Sequence, residues 1–213
     1  MKLPQYYRGE FDSWIANLYD IGFKIAAFGK SDSFRKIIAK KISKKSKKIL
    51  DMTTGTGAVA IETKKEIPKA EVIGIDLSDR MLSIAKRKAL KNKTKIKFLQ
   101  RNIEHTGFKA NYFDAVTISF GLHELPEKNR LNAVKEAHKI LKKKGTFIIM
   151  DFDMPGNTFS KLLMKLYLRV FEPEYSKTVL KEGLIKGLKI NNFHNIKKDR
   201  YFSGAIQTVC GIK

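Results

Sequence analysis

Cysteine and negative charge are both scarce in this chain. Cys210 is the only cysteine, so no disulfide within the chain is possible and a thiolate-ligated metal cluster is excluded. Long hydrophobic runs are missing too. No stretch approaches the roughly 18 consecutive apolar residues of a membrane span. The opening MKLPQYYRGEFDSW lacks the apolar core of a signal peptide, so a cytoplasmic protein is expected, at most peripheral to the inner membrane face. No repeat or low-complexity linker divides the chain, and 213 residues suit one domain. Acidic residues number 21 against 43 basic ones, a formal net charge of +22. The excess is mostly lysine, in runs such as Lys44-Lys45, Lys47-Lys48 and Lys142-Lys143-Lys144. Such a surface is either a solvated lysine coat or a field that recruits nucleic acid or an anionic bilayer. Guanidinium groups, which favour bidentate phosphate contacts, are few.

Hydrophobic periodicity then sorts the chain. Tyr6 to Ile42 reads as helical, because Trp14, Leu18, Ile21 and Ile25 recur at three- and four-residue steps. From there, short apolar bursts alternate with amphipathic segments. Strands are expected at Lys48–Met52, Glu71–Asp76, Ile96–Gln100, Phe113–Phe120 and Gly145–Phe152. Helices are expected at Gly57–Lys65, at Asp79–Lys91 with Ser78 as its cap, and at Asn129–Leu141. Five strands alternating with helices imply parallel strands joined by crossovers, an α/β doubly wound sheet. After Pro155 the rhythm changes. Phe159, Leu162, Leu163, Leu166, Tyr167 and Val170 form one helix face, and strand-like segments at Lys189–Lys197 and Ala205–Gly211, joined by a turn at Tyr201–Gly204, close the chain. The expected whole is a seven-stranded, mostly parallel sheet with a C-terminal antiparallel hairpin. In that single domain, 1–44 is a helical cap, 45–153 a cofactor-binding core, and 154–213 a lid helix with the terminal strands.

The first strand runs through Asp51 into Met52-Thr53-Thr54-Gly55-Thr56-Gly57-Ala58. Glycines between a strand and its helix let a ligand approach the backbone. The second strand ends on Asp76, about 20 residues further on, where an acid can accept both ribose hydroxyls of an adenosine. Gly55-Thr56-Gly57-Ala58-Val59-Ala60 also fits the weak dinucleotide fingerprint G-x-G-x-x-A. Asp51 decides between them. A carboxylate just before the glycines repels a pyrophosphate but suits the ammonium and sulfonium of S-adenosylmethionine.

Strand four and its exit read Phe113-Asp114-Ala115-Val116-Thr117-Ile118-Ser119-Phe120-Gly121-Leu122. This resembles the F-D-x-V-T-I-S-F-G-L-R-N signature of the UbiE-type C-methyltransferases of ubiquinone and menaquinone biosynthesis. The likeness extends to Phe11-Asp12-Ser13 and Tyr19-Asp20, to the DMTTGTG loop, and to Asp76-Leu77-Ser78 with Met81-Leu82. It also takes in Gln100-Arg101-Asn102-Ile103-Glu104, Ile140 to Gly145, and the final Gly204-Ala205-Ile206 strand, about three quarters of the chain. It implies a Rossmann-like methyltransferase fold, with cofactor contacts at Thr56, Asp76, Asn102, Ile103 and Ser119. The full candidate set adds Tyr19, Asp51, Thr53, Gly55, Gly57, Leu77 and Met81. Two departures stand out. His123-Glu124-Leu125-Pro126 replaces the Arg-Asn that follows F-G-L, and the segment before the terminal hairpin is shortened and recast. Both fall where the resemblance puts the methyl acceptor.

Methyl transfer from a sulfonium is an in-line displacement, so alignment and exclusion of water do most of the work. Carbon methylation of a phenol or hydroquinone also needs the ring hydroxyl to lose its proton, which a general base assists. His123 is the candidate, since imidazole titrates near neutral pH, and Glu124 is the second. The expected acceptor is small and aromatic or quinol-like, and the flanking helices, rich in Tyr and Phe, form its cover. Two alternatives remain: an RNA methyltransferase using the basic surface, and a non-catalytic module that only binds the cofactor.

Overall fold

The computed structural model describes residues 31–158, 161–162 and 183–213. The expected N-terminal helix is described from Ser31 on, as α1 (Ser31–Lys41), and nearly all of the expected lid helix lies outside the described residues. The elements that follow are β1 (Lys48–Met52), α2 (Ala58–Glu66), β2 (Glu71–Asp76), α3 (Asp79–Lys91) and β3 (Lys97–Gln100). Next come β4 (Phe113–Ser119), α4 (Glu127–Ile140), β5 (Leu141–Phe152), α5 (Leu184–Ile190), β6 (His194–Tyr201) and β7 (Ile206–Ile212). The seven-stranded sheet has the order β3-β2-β1-β4-β5-β7-β6, and the chain divides into two compact units at Ile103/Glu104.

In the first unit β1 pairs parallel with β2, and β2 parallel with β3. Ile49, Leu50, Met52 and Ile75 are fully buried, because crossover helices leave such strands no solvent face and consecutive residues must all be apolar. Gly74 of β2 lies opposite Phe98 of β3, where a Cβ would stand 2.8 Å from both Phe98 Cδ1 and Thr54 Oγ1. Ser78 caps α3 as expected, its hydroxyl accepting from the Met81 N–H at 3.2 Å.

In the second unit β4 pairs parallel with β5, and β7 runs antiparallel to both β5 and β6. Phe147, Ile148, Ile149 and Met150 of β5 have no solvent exposure. On β6, by contrast, no residue is buried. Lys197, Lys198 and Arg200 lie along this outer strand, a charge pattern that discourages pairing with another chain.

Three expected boundaries are corrected. β5 begins at Leu141 rather than Gly145, since Leu141 already pairs with Phe113 and the register then shifts to Ala115 opposite Thr146. The Lys142–Gly145 stretch is a bulge inside the strand, with Lys144 at φ 64°. The expected strand at Lys189–Lys197 is instead the end of α5, a turn, and the start of β6. Leu184 and Leu188, one helical turn apart, are buried. Asn192 takes a left-handed conformation, φ 59°, while Asn192 N donates to Lys189 O and Phe193 N to Leu188 O. Those two bonds close the helix as a Schellman motif, so Asn191-Asn192-Phe193 is a helix stop. The turn before β7 is also shorter than expected: Tyr201 ends β6, and Phe202–Gly204 forms a single 3-10 turn.

Candidate active site

Most of the candidate cofactor residues belong to the first unit, at the carboxyl ends of β1, β2 and β3. Asp51 is buried near the end of β1, and its Oδ2 accepts from the Thr54 hydroxyl at 2.7 Å. Thr53 sits at φ 54°, a conformation that a β-branched residue adopts only under strain, and its hydroxyl donates to Met52 O at 2.6 Å. Gly55 follows at φ 51° and Gly57 at φ 78°. The two glycines serve different purposes. At Gly55 no atom of the described residues lies within 4 Å of where a Cβ would stand, leaving open space above the backbone. At Gly57 a Cβ would meet Ala85 Cβ at 2.8 Å and Phe98 Cζ at 3.1 Å, so this glycine packs the start of α2 onto α3 and β3.

Asp76 ends β2 and links that strand to the loop. Its Oδ2 accepts from the Gly55 N–H at 2.8 Å, and its Oδ1 from the Ser78 N–H at 3.0 Å. Burial pushes the carboxyl above the ordinary aspartate range, outweighing the backbone hydrogen bonds from Ser78, Gly55 and Leu77 that favour its charge. The fold therefore holds this acid in a costly environment with acceptor capacity to spare, as a ligand-binding group requires. Leu77 is half-buried, with its carbonyl accepting from Gln100 Nε2 at 2.8 Å, and Met81 is buried in the first turn of α3. Just past β3, Arg101 N donates to Asp76 O at 3.0 Å, which brings half-buried Asn102 and buried Ile103 to the same edge. Thr56 is buried and its hydroxyl accepts from Lys88 Nζ at 3.0 Å. Lys88 and Thr54, both missed in the sequence, thus support the loop from below and within.

These residues fit S-adenosylmethionine. A turn with open space above its backbone leaves room for the ligand, a buried carboxylate precedes it, and a second carboxylate on the neighbouring strand keeps free lone pairs for hydroxyl donors.

The second unit carries the remaining candidates. Half-buried Ser119 ends β4, and Phe120 directly after it is held at φ 50°. His123 lies in the loop that follows and is only 3% exposed. Its Nδ1 stands 2.6 Å from Asp151 Oδ1, and its backbone N–H donates to Asp151 Oδ2 at 3.2 Å. The Phe152 ring packs edge-on against the imidazole, centroids 4.9 Å apart, and against Phe120 at 5.4 Å. Glu124 is exposed and takes no part in the His123–Asp151 pair. Asp151 escaped the sequence reading; its only signal was a charged residue closing the otherwise apolar run of β5. Tyr19 lies outside the described residues.

Known proteins resemble this chain in sequence and in fold. Residues 4–184 match the ubiE/COQ5 methyltransferase family. The demethylmenaquinone methyltransferase of Thermotoga maritima is 31% identical over 195 residues, covering 90% of this chain and 76% of that protein. The ubiquinone/menaquinone biosynthesis C-methyltransferase UbiE of Syntrophotalea carbinolica is 33% identical over 156 residues, covering 73% and 65%. The crystal structure of a SAM-dependent methyltransferase from Aquifex aeolicus has a TM-score of 0.69 at 19% identity, covering 95% of this chain and 99% of that one, a likeness of fold. The carboxylates around the glycine turn and the match over most of the chain lead to one conclusion: the chain belongs to the ubiE/COQ5 methyltransferase family and is an S-adenosylmethionine-dependent methyltransferase.

Proposed function

We propose that the chain methylates a flat, apolar, quinol-type aromatic acceptor at a ring carbon, with His123 as general base. The observation that carries this reading is the buried imidazole set among the aromatic rings of Phe120 and Phe152 at the exit of β4. Those rings suit a flat hydrocarbon partner and keep water from the base. The names of the two relatives, a demethylmenaquinone methyltransferase and a ubiquinone/menaquinone biosynthesis C-methyltransferase, point to the same acceptor class.

When bound, S-adenosylmethionine supplies an electrophilic methyl group on a sulfonium. Asp51 complements the cofactor's positive charge, Asp76 accepts its ribose hydroxyls, and Asn102 and Ile103 hold the adenine. Ser119 is a further cofactor contact. His123 takes the proton of the acceptor's ring hydroxyl, which raises electron density at the neighbouring carbon. With the cofactor bound, a C–C bond would form at that carbon as the S–CH3 bond broke, the electron pair leaving with sulfur. Loss of the ring hydrogen as a proton restores aromaticity. Glu124, exposed beside His123, is the second candidate for the base. The lysine-rich surface suits peripheral contact with an anionic bilayer, where a lipid quinol resides. Among the described residues no helix is long and apolar enough to cross a membrane.

The test is incubation of the chain and methyl-labelled cofactor with a demethylated naphthoquinol in anionic vesicles, and separately with total RNA. Label is expected in the organic extract, on ring carbon. Label in RNA, or on quinol oxygen alone, would sink the reading. His123→Ala is expected to slow turnover by about 10²–10⁴-fold while cofactor affinity stays within a few-fold.

A further inference from the structure

The carboxylate of Asp151 has no solvent exposure, so every hydrogen bond it makes is supplied by the protein. Three donors meet it. Oδ1 faces His123 Nδ1 at 2.6 Å and accepts from Phe152 N at 2.8 Å, while Oδ2 accepts from His123 N at 3.2 Å. Backbone N–H groups cannot accept, so both oxygens must serve as acceptors towards them. A lone pair on Nδ1 facing an acceptor oxygen at 2.6 Å would be repulsive. With both carboxylate oxygens already accepting from backbone N–H groups, the proton between the two side chains is placed on Nδ1, and the ring atom that exchanges a proton is Nε2.

We infer that Asp151 is a positioning residue for methyl transfer: it locks His123 as the Nδ1–H tautomer, so that Nε2 is the atom that accepts the proton of the methyl acceptor. This inference rests on the reading of His123 as the base. The geometry distinguishes a carboxylate from every near-isostere. An asparagine at position 151 has one acceptor oxygen and one NH2. With the oxygen towards His123 Nδ1, the NH2 collides with the His123 N–H. With the amide reversed, the NH2 faces Phe152 N–H and donates to Nδ1, which forces the proton onto Nε2. Only an ionised carboxylate satisfies all three donors with the base correctly presented. The arrangement also ties the imidazole's backbone and ring to one anchor at the end of β5, so a turn of the ring breaks its Nδ1 contact while the backbone contact stays.

The experiment uses the full chain labelled with 15N-histidine. The four histidines are read by two-bond 1H–15N correlation, and the His123 pattern is assigned by its loss in His123→Ala. Wild type is expected to show the neutral Nδ1–H pattern at the alkaline end of the titration, and Asp151→Asn the Nε2–H pattern. In Asp151→Asn, kcat with a naphthoquinol is expected to fall about 10²–10⁴-fold with KM for cofactor and quinol changed only a few-fold. Asp151→Glu is expected to recover part of the rate. The double variant Asp151→Asn/His123→Ala should be no slower than His123→Ala, as groups acting as one unit require. An Nε2–H pattern in wild type overturns the inference, and this reading needs no Asp151 variant to fold. Slow His123→Ala beside wild-type kcat in Asp151→Asn also overturns it while leaving the base intact. Undiminished turnover in His123→Ala removes the base reading and the inference together.

Discussion

Replacing Asp76 by asparagine is the sharpest probe of the cofactor cradle, because its consequences for folding and binding separate. A carboxylate offers about four lone-pair sites. Gly55 N and Ser78 N occupy two of them, leaving two for the ribose hydroxyls. An amide keeps one oxygen, so at least one hydroxyl loses its acceptor and the survivor loses its ionic partner. Losing one charge-assisted bond costs about 1.5–3 kcal/mol, a Kd roughly 10- to 150-fold weaker. Stability should change far less. One backbone donor is left facing an NH2, but the desolvation that holds the Asp76 carboxyl above its ordinary range is relieved. The direction of that shift adds a second arm. Ribose donors favour the ionised form, so binding releases a proton, and wild-type affinity should begin to fall on acidification while still above the normal aspartate range. Asp76→Asn should show no such fall. Calorimetry with S-adenosylmethionine and its demethylated product, at several pH values on protein of checked thermal stability, reads all of this. A Kd within threefold of wild type would refute the assignment of the ribose site, and affinity flat down to the ordinary aspartate range would refute the raised pKa.

Two further predictions concern the frame. Gly57→Ala places a Cβ 2.8 Å from that of Ala85 at φ 78°, and it should cost about 2–4 kcal/mol from left-handed strain and overpacking together, read as a lowered denaturant midpoint. Gly55→Ala meets no steric contact and should cost only the strain, so equal losses in the two variants would contradict the packing role of Gly57. Asp153 accepts from Lys198 Nζ at 2.8 Å and Arg200 Nε at 2.7 Å, and despite burial these cations and the Met154 N–H hold its carboxyl below the ordinary range. The folded-state value lies below the unfolded one, so this contribution is present above the ordinary aspartate range and disappears as pH falls through the lowered value. Asp153→Asn should therefore be less stable than wild type at neutral pH by an amount that shrinks on acidification. A pH-independent difference between their urea midpoints would count against it.

Where sequence and structure agree, the signal was local or periodic. Lys48–Met52, Glu71–Asp76 and Asp79–Lys91 have the expected boundaries, because buried parallel strands must be continuously apolar and an amphipathic helix repeats every three to four residues. The glycine turn was legible for the same reason, as glycine alone takes φ 78° at Gly57 without strain. The failures at β5 and α5 are equally physical. Lys142-Lys143-Lys144-Gly145 looks like a turn because it is one, but Leu141 already pairs with Phe113 and places that turn inside the strand as a bulge. Leu184 to Phe193 mixes apolar and polar residues without declaring a period, and the Schellman bonds that stop α5 depend on Asn192 turning left-handed.

By itself, the sequence determined the α/β alternation, the glycine turn with one acid before it and another on the next strand, and the histidine after β4, since each lies in a short stretch whose chemistry is complete within a few residues. Tertiary structure alone decided what those groups touch. Asp76 reaches back to Gly55, Lys88 supports Thr56, and Asp151 grips both nitrogens that His123 presents to it. Such partners are separated by 21 to 32 residues and adjoin only because strand pairing and helix packing bring them together, a contact that no local pattern encodes.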